Sequence, residues 1–320
     1  MRRTLKQLIR WFSEICDFSL SFFMGGLFIG NLTVVHRYCD LKKKRLVIYS
    51  YFSKEKSCPG YVTFAVNSIK KMINADVIFA NNSPRNACRG KASEMAEWEI
   101  VTRNLGRDFG AWKVALDVLG PKQLRQYSSI LLTNDSIYGP FFDICPFVEQ
   151  IENSISPTLG ALTDTWSPRY HLQSYFLVFN QKAIHTHFFE QFWKNVRFIN
   201  GRRFIVEQYE IPLTQQALRK GINLVSFCSA SEVRLKGMCR LSPELKKRAR
   251  SSAVNPTHYF WRALLEDFRV PFVKRDLLTQ NPENVHDLSD LPLLISNCSS
   301  YNCELIFDDL KRNARNGRVF

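Results

Sequence analysis

The segment "SSILLTNDSIYGP", Ser128 to Pro140, decides the fold. Its first half is an apolar run of strand length, and it passes without a spacer into Asn134, Asp135 and Ser136. A buried strand that ends abruptly in polar side chains is what a sheet carrying a site at its strand ends requires. The flanking sequence repeats the theme. "RLVIYSYF" (Arg45–Phe52) and "DVIFANN" (Asp76–Asn82) read as further strands. Between them, "GYVTFAVNSIKKM" predicts a helix with Val62, Ala65, Val66 and Ile69 on one face. "AWKVALDVLG" predicts another, with Trp112, Ala115, Leu116 and Leu119 in register and Gly120 as its stop. "PTLGALTD" and "SYFLVFN" supply two more strands. Strands alternating with helices imply an α/β fold with a mostly parallel, Rossmann-type sheet, whose ligands bind beyond the strand carboxyl ends. The polar runs Asn81–Ser83, Asn134–Ser136 and Thr163–Thr165 would all lie along that rim.

Composition bounds the rest. With 320 residues, of which 45% are hydrophobic, the chain can bury one large core with at most a small appendage. Its net charge of +15 points to a polyanionic partner such as phosphorylated ligands or an anionic membrane surface. No nucleic-acid recognition motif accompanies the charge, so nucleic acid is not expected as a partner. The nine cysteines are scattered and form no C-x-x-C pair, which gives no support to a zinc ribbon or a dithiol redox motif. They read as reduced thiols of a cytoplasmic protein.

Three regions follow: 1–44, 45–235 and 236–320. In "MRRTLKQLIRWFSEI", Leu5, Leu8, Ile9, Trp11, Phe12 and Ile15 recur at helical spacing, with Arg2, Arg3, Lys6 and Arg10 as the cationic complement. That is the pattern of a helix lying in a membrane interface. Phe18–Val35 is apolar and near the length that spans a bilayer, but it carries three glycines, two serines and an asparagine. Lying in the interface suits it better than spanning, and a core helix or hairpin is the rival reading. Beyond residue 236 the chain turns basic and helical, and "NPTHYFWRALLEDF" opens on Asn255 as N-cap and Pro256 as first helical residue.

Several side chains are placed to do chemistry. At the end of the Ser128–Asp135 strand, Asn134 and Asp135 can hold a divalent cation and with it a diphosphate, or simply form an Asx-turn. In "VEQYEIPLTQQALRKG", Glu210 precedes a helix ending at Gly221, either complementing the helix dipole or serving as a general base. In "RYHLQSYFLVFN", His171, Gln173 and Ser174 open a core strand, three polar groups where a core expects few. "RNLGRDFGAWK" (Arg103–Lys113) sets Arg107 and Asp108 between Gly106 and Gly110, as a bare turn with Asp108 as a helix first-turn acid or as a ligand loop that the backbone closes on a substrate.

"RNLGRDFGAWK", "LLTNDSIYGP", "HLQSYFLVFN", "YEIPLTQQALRKG", "NPTHYFWRALL" and "PFVKRDLLTQNP" occur in the order that the rhamnan synthesis protein F family shows, across roughly residues 45–285. The chain resembles that family, which is related to glycosyltransferases of the GT-A fold. The resemblance implies an inverting transferase that moves a deoxyhexose such as rhamnose from a nucleotide-diphosphate donor to a lipid-linked O-antigen or capsular glycan. It places the enzyme at the cytoplasmic face of the inner membrane. Such enzymes carry a D-x-D-like motif in the slot read here as Thr133-Asn134-Asp135, so the first acid is missing. Glu210 falls where the family's base would stand, with Tyr209 in place of a first acid. Arg107, Asp108, Asn134, Asp135, Lys274 and Arg275 become the expected donor contacts, and Lys113 a further cation. His171, Gln173 and Ser174 become the acceptor contacts. Asp135 and His258 are the expected ligands of a Mg2+ or Mn2+ ion, although for His258 helix-end packing is the slightly favoured reading. A sugar-phosphate transferase and a non-catalytic assembly subunit are the rival functions.

Overall fold

A computed structural model describes residues 33–55, 57–83, 88–251, 253–286 and 288–315. The helix expected in residues 2–15 and nearly all of the Phe18–Val35 run lie outside these residues. Among the described residues eleven strands occur: β1 (Val34–Arg37), β2 (Arg45–Tyr51), β3 (Ala75–Asn81), β4 (Trp98–Val101), β5 (Ser129–Asn134), β6 (Ile137–Tyr138), β7 (Thr158–Thr165), β8 (His171–Leu172), β9 (Phe176–Asn180), β10 (Asn223–Cys228) and β11 (Val273–Lys274). The main sheet runs β1-β4-β3-β2-β5-β9-β7-β10, with β8 paired to β7, and β6 and β11 form a small ribbon of their own.

β2 is flanked by parallel β3 and β5, β3 by parallel β4, and β7 by parallel β10. β9 is antiparallel to both β5 and β7, so the parallel strands all share one direction. Their carboxyl ends, Tyr51, Asn81, Val101, Asn134, Thr165 and Cys228, therefore gather on one edge. The predicted polar runs lie there. The sheet is mixed rather than mostly parallel, because β1, β8 and β9 run against the others.

Period-two alternation explains the two cores. On β2, Val47, Tyr49 and Tyr51 face one core while Leu46 and Ile48 face the other. Leu131 and its neighbours Ile130 and Leu132 divide in the same way on β5. Helix Gly60–Met72 covers the first face through Tyr61, Val62, Ala65, Val66 and Ile69. Helix Arg107–Leu124 and helix His187–Asn195 cover the second with Phe109, Trp112, Phe189 and Trp193. Residues from Leu241 to Ile306 join the first core together with the sheet, so the basic C-terminal region shares the sheet's apolar packing.

Val34–Arg37 pairs with β4, so the main sheet begins ahead of residue 45. β4 was illegible as a strand because it is four residues long and carries a charge, Glu99. That carboxylate is fully buried and accepts hydrogen bonds from the Tyr38 hydroxyl and the Asn81 amide. Gly120 interrupts its helix as expected, at φ 70°. Asn255 accepts from the Thr257 amide and Pro256 opens the helix, but Phe260 at φ −114° breaks the run into Pro256–Tyr259 and Trp261–Glu266.

Candidate active site at the carboxyl edge of the sheet

Asp108 is the hub at which three elements meet the edge. It stands second in helix Arg107–Leu124, and its two carboxylate oxygens accept from the Ser50 hydroxyl at the end of β2 and from the Asn134 amide at the end of β5, each at 2.9 Å. Burial pushes its carboxyl above the ordinary aspartate value, against the hydrogen bonds from Ser50 and Asn134 and the charges of Lys274 and Arg107. Asn134 works in both directions, because its Oδ1 accepts from the Ser136 amide and hydroxyl. The Asx-turn is thus present, and it also aims Asn134 at Asp108.

Asp135 follows with a half-buried carboxyl. Its amide donates to the Ser50 carbonyl at 3.2 Å, and its own carbonyl accepts from the Tyr61 hydroxyl at 3.1 Å. Among the described residues no side chain donates a hydrogen bond to its carboxylate. Burial raises that carboxyl to about 7, opposed by the nearby Arg275 guanidinium and reinforced by Asp108. Thr133, in the slot of the missing acid, donates its hydroxyl to the Tyr175 carbonyl and serves the strand.

The β6–β11 ribbon brings Lys274 and Arg275 to this edge, with Lys274 opposite Ile137. The Lys274 ammonium lies 3.5 Å from the Ser136 hydroxyl and 4.4 Å from the centre of the Tyr175 ring. Burial lowers its pKa, against the charges of Asp276, Glu210 and Asp108. Arg275 makes a two-pronged pair with Asp309 at 2.7 and 3.1 Å, and Asp309 also accepts from the Tyr138 hydroxyl. The C-terminal helix Glu304–Arg315 therefore braces the site.

Glu210 stands between a π-helical turn, Val206–Glu210, and helix Ile211–Arg219. The backbone is helical through it, so it is an interior helical residue and not a helix start. Its Oε1 accepts from both the amide and the hydroxyl of Ser174, at 2.7 and 2.9 Å. Glu210 and Ser174, 36 residues apart in sequence, are thus brought together next to Tyr175, the ring over which Lys274 lies.

Other expected residues have different partners. Gln173 bridges the Thr163 hydroxyl and the Asn255 side chain, tying β7 to the C-terminal region. His171 is buried and its Nδ1 lies 2.7 Å from the Arg169 carbonyl, within its own loop. His258 Nε2 is 2.9 Å from Asp276, so its partner is Asp276 and not Asp135. Burial opposes the charge on Asp276, yet the hydrogen bond and charge of His258, with Lys274 and Arg202, hold its carboxyl well below the usual range. Lys113 reaches the Trp193 carbonyl and Asp117, away from the edge. Among the described residues no three His, Cys, Asp or Glu side chains gather as metal ligands.

The glycine pair of "RNLGRDFGAWK" serves close packing within the protein. Gly106 adopts φ 80°, and a Cβ on Gly110 would lie 2.1 Å from the Leu105 carbonyl oxygen. Arg107 donates from Nε to the Asn200 carbonyl, and the Gly106 amide donates to the Asn200 side chain. Trp112 turns into the core and donates to the Thr133 carbonyl.

Sequence reasoning missed Ser50, Asp276, Asp309 and a group of buried oxygens. Ser50 was visible as the one serine in an apolar strand, and Asp276 as the acid next to Lys274 and Arg275. Asn82 Oδ1, Thr102 Oγ1 and Asn104 Oδ1 are buried with no hydrogen-bond partner. They follow β3 and β4 on the same edge. Buried acceptors without donors are costly unless a ligand supplies them.

A mixed α/β protein with a polar, charged constellation beyond its parallel strand ends is the class defined here. The chain belongs to the rhamnan synthesis protein F family, which it matches over residues 77–317. That family's role lies in polysaccharide synthesis. The chain is 26% identical over 160 residues to an uncharacterized protein, y4gN, of Sinorhizobium fredii, covering 49% of this chain and 42% of that one. It is 25% identical over 203 residues to the virulence protein VirA of Vibrio anguillarum, covering 59% and 64%. The chain thus spans less than two thirds of the length of either relative.

Proposed function

We propose that the protein is an inverting glycosyltransferase of GT-A-like fold that uses a nucleotide-diphosphate sugar and a lipid-linked glycan acceptor. A deoxyhexose such as rhamnose is the sugar the family description favours. The observation that carries the reading is the polar chain at the carboxyl edge, in which Lys274 reaches Ser136, Ser136 donates to Asn134 and Asn134 to Asp108, while Lys274 lies over the ring of Tyr175, whose neighbour Ser174 holds Glu210. The run of parallel strands β4-β3-β2-β5 followed by antiparallel β9 supports the fold assignment. The unpartnered oxygens of Asn82, Thr102 and Asn104 support recognition of a donor rich in N–H and O–H groups, as a nucleotide is.

In this reading Glu210, oriented by Ser174, accepts the proton of the acceptor hydroxyl. That oxygen bonds to the anomeric carbon as the bond to the diphosphate oxygen breaks. Lys274 and Arg275 meet the charge that develops on the leaving diphosphate. Asp135 holds a sugar hydroxyl. The donor set around Asp135 does not fit a divalent cation well. It is one half-buried carboxylate beside a guanidinium, while both oxygens of Asp108 already accept from Ser50 and Asn134. Charge neutralisation is therefore assigned to the two cations.

The test is release of nucleoside diphosphate when the purified chain meets nucleotide sugars and a lipid-linked acceptor. Activity that persists in EDTA supports the cationic assignment, whereas loss restored by Mg2+ or Mn2+ returns that role to an ion at Asp135. Release of a nucleoside monophosphate would indicate sugar-phosphate transfer instead. Donor binding without turnover would make the protein an assembly subunit.

A further inference from the structure

We propose that the carboxyl edge of the sheet is the surface this protein turns toward an anionic phospholipid bilayer. Three observations converge on it. The first is where the chain emerges. β1 is antiparallel to β4, with Val34 opposite Val101 and Arg37 opposite Trp98. Val101 is the carboxyl end of β4, so the 33 residues ahead of β1 join the sheet at the same edge as Asp108, Asp135 and Glu210. Those residues carry the interfacial pattern of cations and apolar side chains, including Arg2, Arg3, Lys6, Arg10 and Trp11.

The second is an anchor at the far end of the same edge. Trp166 directly follows β7 and is 60% exposed, with its ring 5.0 Å from that of Tyr170. Tryptophan favours the membrane interface, where its ring is apolar and its N–H is wet. β7 lies six strand spacings from β1 along the sheet, about 29 Å at about 4.8 Å per spacing. The site strands β2 and β5 lie between these two points. The third is charge. Lys54, Arg103 and Arg169 are exposed on the loops after β2, β4 and β7, where they face the same way as the site. The cluster Lys42–Lys44 instead precedes β2 at the opposite edge, so the two edges make different predictions.

A lipid-linked acceptor would then reach Glu210 directly from the bilayer surface. That consequence rests on the transferase reading, but the orientation does not, and the experiment uses neither donor nor acceptor. The full chain carrying Trp11→Phe is mixed with phosphatidylglycerol-rich vesicles containing brominated lipid, which quenches tryptophan at the interface. The expected result is quenching that Trp166→Phe largely removes. A second reporter, Ile155→Trp, stands ahead of β7 at the opposite edge on a position 92% exposed. Its added emission should stay unquenched. Each of Lys54→Gln, Arg103→Gln and Arg169→Gln should weaken vesicle partitioning, by about fivefold per charge, more than neutralising Lys42, Lys43 or Lys44 does. Quenching of the Ile155→Trp reporter with Trp166 untouched, a stronger effect from Lys42–Lys44, or no vesicle binding by the full chain would each overturn the proposal.

Discussion

Asp135→Asn should make the protein more stable and less active, and the stability gain should depend on pH. Burial lifts the Asp135 carboxyl from 3.8 to about 7 in the folded state. The sign follows from linkage. Between those two values the folded state holds a proton that the unfolded state has released, so stability falls as pH rises through this window and levels off above it. At 1.36 kcal/mol per pH unit, the full window sets a ceiling of about 4 kcal/mol. The carboxyl is only half-buried and Arg275 lies beside it, so about 1–2 kcal/mol is the expected penalty after solvent screening. Asparagine keeps the shape and removes the charge. Urea unfolding of the wild type and the variant should coincide near pH 4, separate steadily up to about pH 7 and differ by a constant amount above it. Above pH 4 the variant should be the more stable, while its activity in the donor assay falls. A stability difference that does not change with pH, or a variant that is less stable at high pH, would refute the account of Asp135 as a strained, functionally poised acid.

Glu210→Gln should lower kcat by about 10²- to 10⁴-fold while donor affinity by calorimetry stays unchanged, since the amide oxygen can still accept from Ser174. Asp309→Ala leaves the Arg275 guanidinium and the Tyr138 hydroxyl without their shared acceptor, and should cost about 3–5 kcal/mol in chemical denaturation. Gly110→Ala drives a methyl onto the Leu105 carbonyl and should destabilise the chain by about 3 kcal/mol, measured as a drop in Tm. Ala in place of Gly120, where φ is 70° and ψ 160° but no neighbour is near a Cβ, should cost about 1–3 kcal/mol through the backbone alone, so the pair separates crowding from backbone strain.

How much of this was legible follows from which interactions are local. The strands of β2, β3, β5, β7 and β9 were readable because apolar runs of strand length bounded by polar residues carry their own signature. The site strand could be located for the same reason. β4 was not readable, because its acceptability as a buried strand depends on Tyr38 and Asn81 satisfying Glu99, and neither contact is encoded near it. β10 hid for a different reason. As an edge strand it is only partly buried along most of its length, so its pattern is weak.

The site divides along the same line. Asn134 and Asp108 were each visible as residues with two competing local explanations, an Asx-turn and a helix first-turn acid. Both local explanations hold, and they are also the means by which the two side chains are held rigidly enough to meet. What local sequence could not convey is which carboxylate the pairing leaves open. Asp108 accepts from β2 and β5 at once and so is occupied by the fold, whereas Asp135, one residue beyond Asn134, receives no side-chain donor among the described residues and keeps a pKa near neutrality. His258 shows the reverse case. A late histidine looked suited to a metal, yet the turn that brings Lys274 and Arg275 to the edge also brings Asp276, which takes the imidazole. Each of these outcomes turns on a partner supplied from another element, which is why motif spacing could identify the edge and its acids but not apportion their roles.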